Sequence, residues 1–272
     1  METKNKYVLI TGGTSGIGYE LAEQFAQNGY HLILVARGKE ALLRAATAIR
    51  EAYGVEVMEI SKDLFLPEAA QELYNEVKQR GLQVEILVND AGQGLYGEFL
   101  YTDMRRELEI IQLNIASLVV LTKLFSKEMV AAGGGKILNV ASIAGKVPGP
   151  LQSVYHGTKA FVHSFTEAIR IELKDKNVTV TSLLPGATNT DFFRKANMLQ
   201  SKVVQDGELA DPKEVARDGY EGLMNDKDMV VSGFKNKMQV AMSNMTPDAM
   251  AAAQMYEQQK PVENKIPQRG NQ

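Results

Sequence analysis

Residues 7–18 read Tyr-Val-Leu-Ile-Thr-Gly-Gly-Thr-Ser-Gly-Ile-Gly, and this stretch decides the fold. It joins a short apolar run, typical of a buried strand, to a helical pattern over about residues 17–28. Gly12, Gly16 and Gly18 allow a tight turn and a close backbone approach, so the free amides of the helix N-terminus can bind a pyrophosphate. A glycine-rich surface turn is the alternative, but the strand before it and the helix after it favour a dinucleotide-binding loop.

Short apolar runs continue to alternate with helical patterns along the chain, which is typical of a parallel sheet covered by helices. The predicted strands lie at residues 7–11, 31–37, 55–60, 84–89, 136–140, 178–184 and 229–232. The predicted helices cover about residues 17–28, 39–53, 67–80, 103–132 and 153–175, and a short one begins at 211–212. The predicted fold class is therefore α/β, without a dividing linker before about residue 234.

The composition excludes several classes of function. The 272-residue chain is 44% hydrophobic and 23% charged, an ordinary balance for a globular protein. Its formal charge of −3 argues against a nucleic-acid or anionic-membrane partner. It has no cysteine, which excludes disulfides, thiolate metal sites and cysteine nucleophiles. Its three histidines are scattered along the chain, so no metal site is predicted.

Two further features concern location. Only about six polar residues precede the first apolar run, so we expect no secretory signal. No apolar run of about 18 residues is free of charge, so we expect no membrane span. A cytoplasmic protein follows as the expectation.

The C-terminal part differs in composition from the rest. We assign residues 1–234 to one domain and residues 235–272, which are rich in Met, Gln, Asn and Ala, to a helical extension. An adaptable apolar stripe is predicted from Met238, Met242, Met245, Met250 and Met255. Packing against the core or in a dimer is favoured over a lid or a membrane anchor. The last ten or so residues are expected to be disordered.

A hydroxyl, a phenol and an amine are brought together after the fifth predicted strand. Ser142 closes that strand, and Tyr155 and Lys159 lie one turn apart on the next helix, so their side chains point the same way. A cation about 4 Å from a phenolate is worth on the order of 4 kcal/mol at an effective dielectric of ~20, which predicts a lowered pKa for Tyr155. Tyr155 could then act as general acid or base while Ser142 binds the reacting oxygen. A Tyr-x-x-x-Lys pair alone is more often a surface pair, and only the surrounding chain favours the catalytic interpretation.

The end of the second predicted strand indicates which dinucleotide binds. A carboxylate here would suit the ribose hydroxyls of NAD(H), whereas this chain has Arg37, which suits a 2′-phosphate. A solvated arginine is the alternative. The sequence therefore predicts that NADP(H) is preferred over NAD(H).

Together these features resemble the short-chain dehydrogenase/reductase family in its compact form, over roughly residues 5–233. The motifs that carry the resemblance are residues 11–18, Asp63, Asn89-Asp90-Ala91-Gly92, Asn114, Ser142, Tyr155/Lys159 and Pro185-Gly186. The resemblance implies a single Rossmann-type, doubly wound parallel sheet of about seven strands in the order 3-2-1-4-5-6-7, with helices on both faces.

The resemblance also implies roles for individual residues. Catalysis is assigned to Asn114, Ser142, Tyr155 and Lys159, with Asn114 holding a water beside Lys159. Cofactor contacts are assigned to Gly12, Thr14, Ser15, Gly16, Ile17, Gly18, Arg37, Asp63, Leu64, Asn89, Ala91, Gly92, Tyr155, Lys159, Pro185, Gly186, Thr188 and Thr190. The chain departs from the family pattern at Asp90, where asparagine is usual, and at Thr188, where an aliphatic residue is usual.

The family further implies a substrate lid and a partner. The lid would cover about residues 188–210, with Phe192, Phe193 and Met198 facing the substrate, although ordinary packing is equally open for them. The same cleft would be lined by Gln93, Leu95, Tyr96 and Gln152, with the same alternative. Helices over about residues 103–132 and 153–175 commonly pair in this family, which implies a homodimer or homotetramer.

The favoured hypothesis is an NADP(H)-dependent oxidoreductase that interconverts a small-molecule carbonyl and an alcohol, with Tyr155 as general acid/base. The apolar lid suggests a hydrophobic ketone, alcohol or acyl-chain carbonyl. The alternative is a regulatory protein that senses the dinucleotide without chemistry, although such a protein need not keep a proton relay. Sugar epimerase or dehydratase activity usually needs a longer substrate domain than the residues after 186 provide.

Overall fold

The computed structural model describes residues 6–243 and 245–262. Across these residues one seven-stranded parallel sheet has the strand order β3-β2-β1-β4-β5-β6-β7. Its strands are β1 (Lys6–Thr11), β2 (His31–Ala36), β3 (Val57–Ser61), β4 (Gln83–Asn89), β5 (Gly135–Val140), β6 (Val178–Leu184) and β7 (Met229–Val231). The predicted doubly wound sheet and its strand order are confirmed.

Helices cover both faces of the sheet. They are α1 (Gly16–Gln27), α2 (Lys39–Tyr53), α3 (Ala69–Gln79), α4 (Met104–Ile111), α5 (Leu118–Ala131), α6 (Ser153–Leu173), α7 (Phe192–Lys195), α8 (Lys202–Gln205), α9 (Pro212–Met224), α10 (Phe234–Ser243) and α11 (Asp248–Gln259). The long helix predicted over residues 103–132 is interrupted by a π-helical segment, Gln112–Ser117, between α4 and α5. Helix α4 begins after Asp103, whose side chain caps the helix by accepting a hydrogen bond from the backbone amide of Arg105 at 2.8 Å.

The apolar runs are continuous because the central strands are buried on both faces. In β1, Val8 and Ile10 pack into a cluster with residues of α1, α2 and α9, whereas Tyr7 and Leu9 pack with residues of α3 and α5. Successive side chains point to opposite faces of a sheet, so an uninterrupted apolar strand fills two cores at once. The open edge of such a sheet lies at the carboxyl ends of its strands, where the loops gather and where ligands bind.

One helical stretch differs from the expectation of no membrane span. Within the described residues, Met104–Ala131 is long and apolar enough to cross a membrane by length and composition alone. In this structure 44% of its most apolar window is buried, and α5 packs against α3 and the sheet. The same test is passed by the core helix of a globular domain, so the finding is weak evidence for a span.

The C-terminal helices do not bury their methionines in the core. Four of the five, Met238, Met242, Met245 and Met250, are more than half exposed. The core-packing interpretation is therefore wrong for these four, and packing in a dimer stays a prediction. Met255 instead lines the cleft described below. The predicted disorder of the last ten residues falls outside the described residues.

Candidate active site

A cleft of about 1300 Å³ opens at the carboxyl edge of the sheet. It is lined by the turn after β1, by the loops after β2, β4, β5 and β6, and by the start of α6. Its volume exceeds the roughly 300–1,000 Å³ of a pocket for one drug-sized ligand. The cleft therefore has room for an extended dinucleotide and a second small molecule.

The glycine turn has the geometry that a bound phosphate requires. Gly12 and Gly16 have φ of +77° and +58°, and a Cβ at Gly16 would lie 2.9 Å from Thr190 Cγ2. A Cβ at Gly18 would lie 2.5 Å from Asp90 Oδ2. The Ser15 side chain makes no capping hydrogen bond at the start of α1. The uncapped helix N-terminus, held by glycines on which no side chain fits, suits a diphosphate.

Arg37 lies where β2 opens into the cleft. Its Nε is 3.9 Å from Asp63 Oδ1, and its guanidinium lies 4.8 Å from the centre of the Phe65 ring. The Arg106 guanidinium also lies over this ring, at 4.7 Å. Arg37 and Asp63 both line the end of the cleft where the adenosine half of a dinucleotide would bind.

The serine, tyrosine and lysine meet in the cleft. The hydroxyl of Ser142 lies close enough to the Tyr155 phenol to lower its pKa, and it donates to the carbonyl of Pro185 at 3.3 Å. Lys159 Nζ lies 5.9 Å from the centre of the Tyr155 ring and donates to the carbonyl of Val140 at 2.7 Å. The end of β5 supplies the serine and the first two turns of α6 supply the other two, as the sequence spacing predicts.

The predicted lowering of the Tyr155 pKa is wrong for this structure. Burial raises the pKa of the phenol to about 12; the Ser142 hydrogen bond lowers it and the negative charge of Asp90 raises it further. Lys159 does not reverse this because its ammonium bonds the Val140 carbonyl and faces the Asp90 charge. The phenol is therefore protonated at neutral pH, which equips it to donate a proton.

Asp90, which the sequence shows only as a departure from the family pattern, is a half-buried side chain whose charge acts on Lys159. Burial raises the pKa of Asp90, while the positive charge of Lys159 and a hydrogen bond from the backbone of Gly18 oppose that rise. Burial likewise lowers the pKa of Lys159, and Asp90 opposes the change. One carboxylate thus joins the glycine turn to the lysine, a connection that the sequence does not signal.

Asn114 lies behind the cleft rather than on its surface. Its amide exchanges hydrogen bonds with the backbone of Gln93, at 3.0 and 2.9 Å, and donates to Thr158 Oγ1 at 3.0 Å. A Cβ at Gly92 would lie 3.5 Å from Asn114 Oδ1 and 3.3 Å from Lys159 Nζ, so the two side chains are neighbours. The π-helical segment places this asparagine, and such segments are frequent at functional sites.

The other predicted residues divide into two groups. Those that line the cleft are Gly12, Thr14, Ser15, Gly16, Ile17, Arg37, Asp63, Leu64, Ala91, Gly92, Pro185, Gly186, Thr188, Thr190, Gln93, Gln152, Phe192, Phe193 and Met198. Those that do not are Gly18, Asn89, Leu95 and Tyr96.

Two of the residues outside the lining have structural contacts instead. The Asn89 amide nitrogen donates to Thr122 Oγ1 at 3.0 Å and to Asn139 Oδ1 at 2.9 Å, so its side chain joins β4 to α5 and β5. The Tyr96 hydroxyl donates to the carbonyl of Gln259 at 2.7 Å, which ties a loop to the end of α11.

The C-terminal helices also contribute to the cleft, which the sequence does not indicate. The cleft is also lined by Phe234, Lys235, Asn236, Gln239, Met255, Gln258 and Gln259. The run Glu257-Gln-Gln-Lys260 reads as a solvated helix end, and nothing in it signals that Gln259 is buried. Among the described residues, no group of three or more His, Asp or Glu side chains could hold a metal ion.

Comparison with known families identifies the family of this chain. The family model described as short chain dehydrogenase matches residues 6–200, which include the glycine turn, Ser142, Tyr155 and Lys159. The chain belongs to the short chain dehydrogenase family. The match also covers the lid residues Phe192, Phe193 and Met198.

Curated relatives of this short chain dehydrogenase include larger enzymes. The very-long-chain 3-oxoacyl-CoA reductase of Rattus norvegicus is 34% identical over 186 residues, which cover 66% of this chain and 58% of that protein. Reductase-B of the same name from Danio rerio is 36% identical over 195 residues, which cover 70% of this chain and 61% of that protein. The chain thus spans less than two thirds of the length of these relatives.

Solved structures match over more of the chain. A short-chain dehydrogenase from Sphingobium yanoikuyae in complex with NADPH has a TM-score of 0.79 and 29% identity, and the match covers 89% of this chain and 96% of that one. L-Sorbose reductase from Gluconobacter frateurii, complexed with NADPH and L-sorbose, has a TM-score of 0.73 and 27% identity, with 84% and 96% covered. These similarities support an oxidoreductase with a nicotinamide dinucleotide.

Proposed function

We propose that this short chain dehydrogenase is an NADP(H)-dependent oxidoreductase that reduces a carbonyl to an alcohol, with Tyr155 as the general acid. One observation carries the proposal: Ser142, Tyr155 and Lys159 meet in the same cleft as the glycine turn. The sensing alternative is not favoured, because relatives and structural neighbours are named as reductases.

The cofactor site fits a dinucleotide. Gly12 and Gly16 would hold the diphosphate against the amides of α1, and Asp63 and Leu64 would flank the adenine. Ala91 and Gly92 would lie along the ribose, and the loop after β6 would hold the nicotinamide end. A bound reduced nicotinamide supplies the hydride that the carbonyl carbon accepts.

The side chains of the site have complementary parts in the proton transfer. The protonated Tyr155 would donate to the carbonyl oxygen as negative charge develops there, and the Ser142 hydroxyl would turn from the Pro185 carbonyl to donate a second hydrogen bond to the same oxygen. Lys159, whose Nζ lies 5.9 Å from the centre of the Tyr155 ring, would bind the ribose of the cofactor. Asn114 would help to position Lys159, its neighbour beside Gly92, and it fixes the loop at Gln93 through hydrogen bonds to the backbone of that residue.

Arg37 supports a preference for NADP(H). A guanidinium binds a phosphate through charge-assisted hydrogen bonds, and Arg37 lies at the strand end where the ribose 2′ position falls in this fold. Structural neighbours are described as complexes with NADPH.

The surroundings of Tyr155 favour an apolar substrate. The Phe192 ring lies 5.0 Å from the Tyr155 ring, and Phe193 and Met198 form a small apolar cluster behind it. We take residues 188–210 as the substrate lid. Because relatives are named as 3-oxoacyl-CoA reductases, an acyl-chain ketone belongs among the candidate substrates.

We also retain the expectation of a cytoplasmic homo-oligomer. Exposed apolar side chains on α6, Phe161 and Ile171, lie on a helix expected to pair.

The test is NADPH consumption with a panel of aliphatic ketones, hydroxyketones and 3-oxoacyl thioesters. We expect turnover of at least one carbonyl by the wild-type protein and a loss of at least about a hundredfold in Tyr155→Phe. Tyr101→Phe is the matched control, because Tyr101 is exposed outside the cleft. Equal turnover in Tyr155→Phe and the wild type would remove Tyr155 from the mechanism.

A further inference from the structure

We propose that Gln259, at the end of α11, is a specificity-determining residue that binds a neutral hydroxyl or amide group of the substrate together with Gln152. This inference rests on the proposed reductase function and extends it to the chemistry of the substrate. Both glutamines line the cleft, and both are only 4% exposed. They lie 107 positions apart in the sequence, so only the fold brings them to one site.

The hydrogen bonds of His156 orient the Gln259 amide. Nδ1 of His156 lies 2.8 Å from the carbonyl of Val147, which can only accept, so Nδ1 carries the proton. Burial lowers the pKa of His156, which keeps the ring neutral and leaves Nε2 as an acceptor. Gln259 Nε2 lies 2.9 Å from this atom and donates to it. The Gln259 amide oxygen therefore points away from the histidine.

That oxygen has no protein partner. Gln259 Oε1 is buried without a hydrogen bond, and so is Gln152 Nε2. A buried polar atom without a partner destabilises the protein by about 1–3 kcal/mol, so such atoms call for a reason. Of the four buried side-chain atoms in this condition among the described residues, these two belong to the cleft lining. One is an acceptor and the other is a donor.

The unpaired amide nitrogen of Gln152 lies beside the reacting centre. A Cβ at Gly94 would lie 3.2 Å from Gln152 Nε2, 3.3 Å from Tyr155 Cδ2 and 3.0 Å from Phe192 Cζ. The unpaired donor therefore lies next to the Tyr155 ring and the lid. A hydroxyl or an amide in this cleft can donate to Gln259 Oε1 and can accept from Gln152 Nε2, whereas a methyl group can do neither.

The end of α11 is held firmly enough to serve this purpose. The Tyr96 hydroxyl donates to the Gln259 carbonyl at 2.7 Å. The next residues pair with the lid: Lys202 donates from its backbone to the Lys260 carbonyl at 3.1 Å, and Val262 to that of Gln200 at 2.9 Å. A side chain fixed on both sides can discriminate between substrates by geometry.

The experiment compares 2-alkanones with the ω-hydroxy-2-alkanones of equal length, using NADPH and the wild-type chain. We expect kcat/KM to favour the hydroxylated ketone by at least about tenfold at one chain length. The reason is that the substrate hydroxyl gives a hydrogen-bond partner to the side-chain atoms of Gln259 and Gln152 that otherwise have none. Gln259→Met, which keeps the side-chain length, should abolish this ratio, and Gln152→Met should reduce it. Gln254→Met on the exposed face of α11 is the control and should keep it.

The outcomes separate specificity from structure. An unchanged NADPH affinity in Gln259→Met shows that the variant folds. A ratio near one in the wild type at every length, or a ratio that Gln259→Met preserves while both rates fall together, overturns the inference. If no ketone is reduced, the reductase proposal fails, and thermal stabilisation of the NADPH-loaded protein by the same ketones decides instead. Stabilisation specific to the hydroxylated series and lost in Gln259→Met supports the inference, and any other pattern overturns it.

Discussion

Replacing Arg37 with serine should weaken NADPH binding while leaving NADH binding nearly unchanged. A hydrogen bond to a charged group is worth about 1.5–3 kcal/mol, and the Arg37 side chain is 53% exposed, so solvent screening favours the lower end of that range. A loss of about 1.5–2 kcal/mol corresponds to a rise in the NADPH Kd of roughly 10–30-fold. Asp63, whose Oδ1 lies 3.9 Å from Arg37 Nε, would then face the 2′-phosphate without a counter-charge and add to the loss.

The assay is a fluorescence titration of both cofactors at low and high ionic strength. The NADPH advantage of the wild type should shrink as salt rises, because the contact is exposed, and it should nearly disappear in Arg37→Ser. Arg44→Ser is the control, since Arg44 is 73% exposed on α2 and pairs with Glu40. An equal loss for NADPH and NADH, or no loss at all, would refute the reasoning.

Three further predictions concern the glycine turn and the core. Gly18→Ala should weaken NADPH binding by more than about tenfold in the same titration, because its Cβ would lie 2.5 Å from Asp90 Oδ2; wild-type affinity would contradict this. Burial lowers the pKa of His163 to about 4, below its usual 6.5, so the unfolded chain binds this proton first as pH falls. The free energy of unfolding should drop by about 2 kcal/mol between pH 6.5 and 4, and His163→Gln should flatten that drop in urea titrations. Phe25 is fully buried, so Phe25→Ala should lower the free energy of unfolding by about 3–5 kcal/mol. Leu43 is 59% exposed, so the control Leu43→Ala should change this free energy by less than about 0.5 kcal/mol.

Features encoded by local pattern were predictable from the sequence. Apolar runs and the glycine turn predict the strands because neighbouring residues along a strand or turn decide them, whereas the strand order followed from the resemblance to a family. The spacing of Tyr155 and Lys159 likewise places both side chains in the cleft, because four residues make about one helical turn.

Features that depend on distant neighbours were not predictable. Burial and the charge of Asp90 raise the Tyr155 pKa, and both depend on the three-dimensional fold. The spacing of Tyr155 and Lys159 alone therefore predicted a lowered pKa, where the structure has a raised one. Gln259 reaches His156 from 103 residues away, and its polar neighbours at the helix end suggested solvent. Asn89 fits the cofactor motif, yet its side chain is taken up by Thr122 and Asn139 in the core.

Hydride transfer to the carbonyl carbon, coupled to proton transfer from Tyr155, can be tested most directly with NADPH that carries deuterium at both C4 positions of the nicotinamide. With a ketone that the wild-type protein reduces, mass spectrometry of the product should show one deuterium at the carbinol carbon. Tyr155→Phe should bind the labelled cofactor as tightly but transfer the deuterium at least about a hundredfold more slowly, because the phenol that supplies the proton is gone. Deuterium transfer at the wild-type rate in Tyr155→Phe, or no deuterium in the wild-type product, would contradict this account.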